Sequence, residues 1–299
     1  MTTLSVEAAI DAVRGLAREL GLEVVPEVLA DRSNLVLSLA PTSCVARVAM
    51  ATSASRVGME WIGREVAIAR HLAASGAFVT RPAAHVDPGP FVREGLVISL
   101  WERETLREPS EDHALAGARL AEAHRALRSL PAGVVPEWGA WSEARAALGR
   151  AREGALRGAE LSRVLNAWDH GERVVASAAS RTASLQAVHG DAHLGNVLWS
   201  ERGPIWTDWE DAFIGPVEWD IACLLSKAEL FGEERDAISA TRSGYDEPLD
   251  EALVQDLALV RNLQVIPWLA VFAERQPELV PRMRARIERL PIARGPARE

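Results

Sequence analysis

A chain of 299 residues with 48% hydrophobic and 25% charged side chains can bury the core of one large or two modest domains. Its formal net charge of −9 repels phosphate backbones, which excludes a general nucleic-acid binder and leaves cationic ligands favoured. Cys44 and Cys223 stand far apart with no CxxC pair, which argues against a disulfide framework or a thiolate zinc site and suits a reducing cytoplasm.

The opening segment MTTLSVEAAIDAVRGLAREL carries acids inside its apolar periodicity and reads as an amphipathic helix, not a signal peptide. NLVLSLA and CVARVAM read as two strands around the turn Pro41-Thr42-Ser43. GMEWIGREVAIARHLAASG has helical spacing and ends at Gly76, and FVREGLVISLWERE gives two more strand-like runs around Glu94-Gly95. From about residue 105 helices dominate. Pro109-Ser110, followed by Glu111 and Asp112, starts one that runs to Pro131. Two more helices lead to VHGDAHLGNVLWS, a turn at 201–203 and PIWTD, which form a β-hairpin, and residues 216–290 are again helical. The longest apolar stretches, such as VIPWLAVFA, are too short to cross a bilayer, so no membrane partner is expected. Clefts between lobes favour ligands.

The hairpin carries HGDAHLGN at the entrance of its first strand and DWED at the end of its second, so Asp191, Asn196, Asp208 and, as a further candidate, Asp211 can converge. All are oxygen donors, which suit Mg²⁺, whereas zinc would draw on His189 and His193. Asp, then Asn at i+5, then a second Asp a dozen residues on follows the logic of a kinase catalytic loop and its metal ligands. The rival reading of the same stretch is a metal-dependent hydrolase built on His189, Asp191 and His193.

HGDAHLGN together with TDWEDAFIGPVEWDIACLL resembles the aminoglycoside phosphotransferase and choline kinase superfamily, strongly over 188–225 and weakly over the N-terminal strands. The resemblance implies an α+β, bilobal protein-kinase-like fold. A small N-terminal lobe of antiparallel sheet plus helix (1–100) and a hinge (101–104) would precede a larger, mainly helical lobe (105–299). It implies Asp191 as catalytic base and Asn196 and Asp208 as magnesium ligands, with Asp211 near a second metal. His189 and His193 would support the loop, and Asp220 would brace it from the following helix. ATP or GTP is the expected nucleotide.

Such a site needs a cation on the phosphates, usually a strand lysine paired with a helix glutamate. Lys227 is the only lysine, so Arg47 in CVARVAM, paired with Glu65, takes that place, with Arg64 as competitor. Ser33 and Asn34 stand where a phosphate-cradling turn is expected. Leu100, Trp101 and Glu102 would offer backbone groups to the nucleotide base.

For the acceptor, Glu229 and Glu233 open an acidic stretch running to Glu251 that suits protonated amines, and Trp138 and Trp141 could stack on a sugar or cage an amine. The expected function is an ATP- and Mg²⁺-dependent kinase acting on a hydroxyl of an aminoglycoside, amino-sugar or amino-alcohol. Antibiotic resistance is one outcome of such chemistry. The alternative is a non-catalytic nucleotide-binding sensor or partner protein, whose mark would be loss of Asp191, Asn196 or Asp208.

Overall fold

The computed structural model describes residues 5–31, 34–50, 59–108, 112–182, 185–274 and 276–291, in two compact units. The first opens with α1 (Val6–Glu19), whose N-terminal amides are capped by Ser5 Oγ accepting from Ala8 N at 3.1 Å. Behind it lies an antiparallel sheet of β1 (Val25–Asp31), β2 (Asn34–Ala40), β3 (Cys44–Ala49), β4 (Phe91–Arg93) and β5 (Leu96–Glu102), ordered β1-β2-β3-β5-β4. Alternation along β2 drives Leu35, Leu37 and Leu39 into one core with Ala46, Val48, Leu96, Ile98 and the α1 face Ala9, Ala12, Val13 and Leu16. Each fully buried leucine contributes roughly 2 kcal/mol. Glu94 and Gly95 both take positive φ (52° and 80°), the backbone pattern of a two-residue hairpin between β4 and β5. α2 (Glu60–Ala74) completes this part, and Gly76 at φ 79° lets the chain leave it.

The second unit is mainly helical. α3 (His113–Leu127) begins at Asp112, whose carboxylate accepts from Leu115 N at 3.2 Å. It is followed by α4 (Gly139–Glu153) and α5 (Gly158–Ala178). β6 (Gln186–Val188) pairs antiparallel with β9 (Phe213–Gly215), and α6 (Glu218–Phe231), α7 (Arg235–Gly244), α8 (Glu251–Ala273) and α9 (Val280–Glu288) complete the unit. α8 corrects the expectation on apolar length: its 23 residues, with a mean hydropathy of 1.3 over the best window, are long and apolar enough to cross a bilayer. Asp256 and Arg261 interrupt its sequence and disguise this. Half of that window is buried, and α8 packs against α4, α5, α6 and α9, which accounts for its apolar character.

The hairpin of β7 (Val197–Ser200) and β8 (Gly203–Trp206) belongs with the first unit. Trp206 bridges Val79, Leu106 bridges Ser200, Glu201 N donates to Thr105 O at 3.0 Å and Arg107 N to Trp199 O at 2.8 Å. The first unit comprises Met1–Ser110, Ser129–Val134 and Val197–Glu210.

Candidate active site

The first unit builds a cluster of opposite charges around Arg47. β3 lies between β2 and β5, with Arg47 opposite Val36 and Ser99, so its side chain leaves a central strand and is only 11% exposed. The guanidinium pairs with Glu65 of α2, with Asp208 Oδ1 at 2.7 Å and with Glu210 Oε2 at 2.9 Å. With its amide turned to suit these donors, Asn34 accepts from Arg47 Nη2 (2.6 Å) and Nε (3.0 Å). Burial works against the charge on Arg47, but the three carboxylates outweigh it and hold the guanidinium protonated. Glu65 carries the opposite strain: burial pushes its carboxyl up to about 7 although Arg47 opposes the shift, and its Oε2 is buried without a hydrogen-bond partner. Arg64 is buried as well but turns to Glu210 O (3.2 Å) and Glu60 (3.6 Å), so Arg47 is the partner of Glu65.

Asp208 follows β8 with φ 69°, a left-handed backbone that Asp tolerates better than most residues and that is often found at functional positions. Its side chain is 35% exposed, the most open of the three carboxylates. Asp208 therefore offers the most open hard oxygen, the kind of donor that a divalent cation such as Mg²⁺ would take.

Other residues expected in this unit fare differently. Ser33 lies outside the described residues. Leu100 N donates to Pro88 O (2.9 Å), Leu100 O accepts from Ala83 N (3.0 Å) and Glu102 N donates to Arg81 O (2.8 Å). Those main-chain groups are engaged inside the fold. Trp101 packs its ring on Val66 and Ala69 and donates Nε1 to Ser99 Oγ at 2.9 Å. It is a core residue.

The second unit holds the loop that begins at His189. Asp220, completely buried on α6, accepts from His189 N (2.6 Å) and Gly190 N (2.9 Å), which straps the loop to the helix through its backbone. His124 Nε2 lies 2.8 Å from the same carboxylate, and His124 Nδ1 lies 2.7 Å from the hydroxyl of Tyr245, the only tyrosine in the chain. Gly190, at φ 84°, passes so close to Asp211 that a Cβ would sit 2.1 Å from the Asp211 carbonyl oxygen. Trp219 Nε1 donates to Gly190 O at 2.9 Å. The loop is fixed at every step before Asp191.

Asp191 emerges with 27% of its side chain exposed. Asn196, in the turn Leu194–Asn196, donates Nδ2 to Asp191 O at 3.0 Å, and its own amide donates to His193 O at 2.9 Å. His193 Nε2 lies 3.6 Å from Asp191 Oδ2, and Arg261 of α8 grips Oδ1. Burial alone would raise the Asp191 carboxyl; Arg261, His193 and His189 overcome it and hold it far below the ordinary carboxylate range. The histidines do not form a metal group. His193 Nδ1 accepts from Gly195 N (3.0 Å), and His189 Nδ1 faces Asp191 N at 3.4 Å. Among the described residues no three His, Cys, Asp or Glu side chains come together as metal ligands. Arg261 escaped sequence reasoning, although a lone arginine deep in the apolar run ALVRNLQVI was its signal.

The acceptor expectation at Trp141 is corrected. Trp141 is 1% exposed and stacks on Trp168 (4.2 Å between centroids, 15° between planes), and Trp138 packs on Phe213 and Trp219. The Trp141 ring fills core space, where tryptophan's area is best removed from water, whereas Trp138 stays half-buried. The acidic stretch is largely neutralised by basic partners: Lys227 to Glu234, Arg125 to Asp246 and Glu247, Arg128 to Glu247, Arg242 to Glu251 and Arg181 to Asp250. Glu229 and Glu233 stand exposed around the end of α6.

A loop strapped from the following helix, an aspartate presented at its tip and a cation held by a helix glutamate define a phosphotransferase of the protein-kinase-like kind. The chain belongs to the phosphotransferase enzyme family, whose model matches residues 12–282. Stress response kinase A of Escherichia coli K12 is 33% identical over 87 residues, a stretch that covers 27% of this chain and 26% of that kinase. Among solved structures, amicoumacin kinase hAmiN, in complex with AMP-PNP, Ca²⁺ and Ami, shares 18% identity at a TM-score of 0.71, covering 96% of both chains. A microcompartment-associated aminopropanol kinase shares 16% identity at a TM-score of 0.71, covering 92% of this chain and 94% of its own. At these identities the likeness is one of fold.

Proposed function

We propose that the chain is an ATP- and Mg²⁺-dependent kinase that transfers the γ-phosphoryl group to a hydroxyl of a small molecule. The observation that carries this reading is Asp191, presented by a loop that Asp220 holds through two backbone amides. Held ionised by Arg261 and His193, Asp191 is a weak base. It orients the acceptor hydroxyl and takes its proton late, as a loose phosphoryl-transfer transition state requires. Arg47, kept charged and placed by Glu65, grips phosphate oxygens. Asn196 and Asp208 are the proposed metal ligands, with Asp211 a third; the metal, when bound, neutralises charge on the β- and γ-phosphates. The two free cysteines, both buried, support a reducing, cytoplasmic setting.

The acceptor classes suggested by the resemblance, aminoglycosides, amino-sugars and amino-alcohols, draw support from hAmiN and the aminopropanol kinase, and none from the paired acids after Glu229. The test is a screen of hydroxyl compounds with ATP and Mg²⁺, read by product mass. A product heavier by one phosphoryl group supports the reading. Nucleotide binding without any phosphorylated product across a broad panel favours a sensor, and turnover that requires zinc refutes the kinase.

A further inference from the structure

Arg261 of α8 faces the carboxylates of Asp191 and Asp211, and α9, which packs against α8, buries a second guanidinium. Arg261 gives one arm to Asp191 Oδ1 and another to Gln264 Oε1, while its Nε is buried without a hydrogen-bond partner. Arg286, on α9, is only 5% exposed. Its Nη1 donates to Asn262 Oδ1 at 3.1 Å, Asn262 Nδ2 returns a bond to Arg286 O at 3.1 Å, and its Nε is also buried and unpartnered. Among the described residues no carboxylate pairs with Arg286. Instead Arg282, Arg286 and Arg289 surround the ring of Phe231, with guanidinium carbons 5.5, 5.2 and 5.4 Å from its centroid.

A buried guanidinium without a counter-ion is costly, and folded chains rarely keep one unless something neutralises it. Burial first, then Arg261 and Arg282, pushes Arg286 down to about 9, while Asp191 opposes the shift; the Asn262 it bonds follows Arg261 directly on α8. Arginine's planar fork matches an oxyanion in two-point contact.

We propose that the acceptor of this kinase carries an oxyanion, a carboxylate or a phosphate, beside the hydroxyl that is phosphorylated, and that Arg261 and Arg286 bind it. The inference rests on the phosphotransferase reading for the role of Asp191. It replaces a cationic acceptor with an anionic hydroxy compound, a hydroxy acid or a sugar phosphate. Arg261 then serves both sides, positioning Asp191 and meeting the acceptor's anion, and Arg286 makes the site selective.

The test needs no turnover. Thermal unfolding of the full chain is followed with inorganic phosphate, with acetate and with chloride at equal ionic strength, for the wild type, Arg286→Met and Arg261→Gln. Arg47→Met controls for phosphate bound at the nucleotide side. The wild type should gain roughly 5 °C in Tm at a hundredfold excess of the bound oxyanion over its Kd. Arg286→Met should match or exceed the wild-type Tm without oxyanion and show no gain with it, whereas a merely structural Arg286 would lose stability on substitution. Should Arg286→Met fail to fold, the gain must still vanish in Arg261→Gln. A gain from acetate as well as phosphate marks a carboxylate acceptor, and a gain from phosphate alone marks a phosphate ester. No gain in the wild type, an undiminished gain in Arg286→Met or Arg261→Gln, or a gain lost only in Arg47→Met overturns the proposal. Failure to phosphorylate any acceptor while the Arg286-dependent gain persists would instead count against the kinase reading.

Discussion

The cluster around Arg47 and the cluster around Asp191 are built from the same two side-chain types. In the first unit one guanidinium serves Glu65, Asp208 and Glu210. In the second, Arg261 faces Asp191 and Asp211, and Arg286 on the adjoining helix has no carboxylate partner among the described residues. The first keeps an open carboxylate, Asp208, for the proposed cation, and the second keeps a buried guanidinium, Arg286, for the proposed anion. A buried charge without a partner is costly, so the two proposals can be tested by removing the side chains that hold each one.

Substitutions can break this contrast in order of severity. Asp220→Ala should be the most damaging, costing roughly 3–5 kcal/mol, because it strands the His189 and Gly190 amides and the His124 ring in the interior. Denaturant unfolding measures it, and a loss under 1 kcal/mol would mean that the strap is ornamental. Arg47→Met leaves the carboxylates of the first unit uncompensated. It should cost about 3 kcal/mol and weaken nucleotide binding about tenfold or more, as read by calorimetry. Gly190→Ala meets both a positive φ and the Asp211 carbonyl, so about 2 kcal/mol is expected; unchanged stability would show that the loop can shift aside.

The smallest effect is a pH slope. The Glu65 carboxyl rises from 4.5 to about 7 in the folded chain. Below 4.5 both folded and unfolded states hold the proton. Between 4.5 and about 7 the unfolded state loses it first, so stability falls as pH rises through that window. Glu65→Gln should flatten that part of the Tm profile, and a wild-type slope in the variant would assign the titration elsewhere.

The motif 188–225 made the catalytic loop legible because its residue types and spacing are demanded by chemistry. Strands with clean alternation, such as Leu35, Leu37 and Leu39, were legible for the same reason of period. β1 was not: it contains Pro26, lies at a sheet edge and buries a single residue, so it has no apolar rhythm to read. β6 and β9 are three residues each, too short to show a period. The acidic stretch misled because charge counted along a chain does not reveal the arginines that partner it in space. Arg286 was invisible for the converse reason, sitting among surface arginines in PRMRARIERL although the fold buries it.

The central claim is that Asp191 directs phosphoryl transfer to an acceptor hydroxyl. Its most direct test compares wild type with Asp191→Asn, using γ-labelled ATP, Mg²⁺ and the acceptor found by mass screening. Asparagine keeps the shape and can still accept one bond from Arg261. Transfer should fall about a thousandfold while nucleotide affinity stays within twofold, since the change removes the proton acceptor and no phosphate contact. Equal labelling of the acceptor by both proteins would contradict the account.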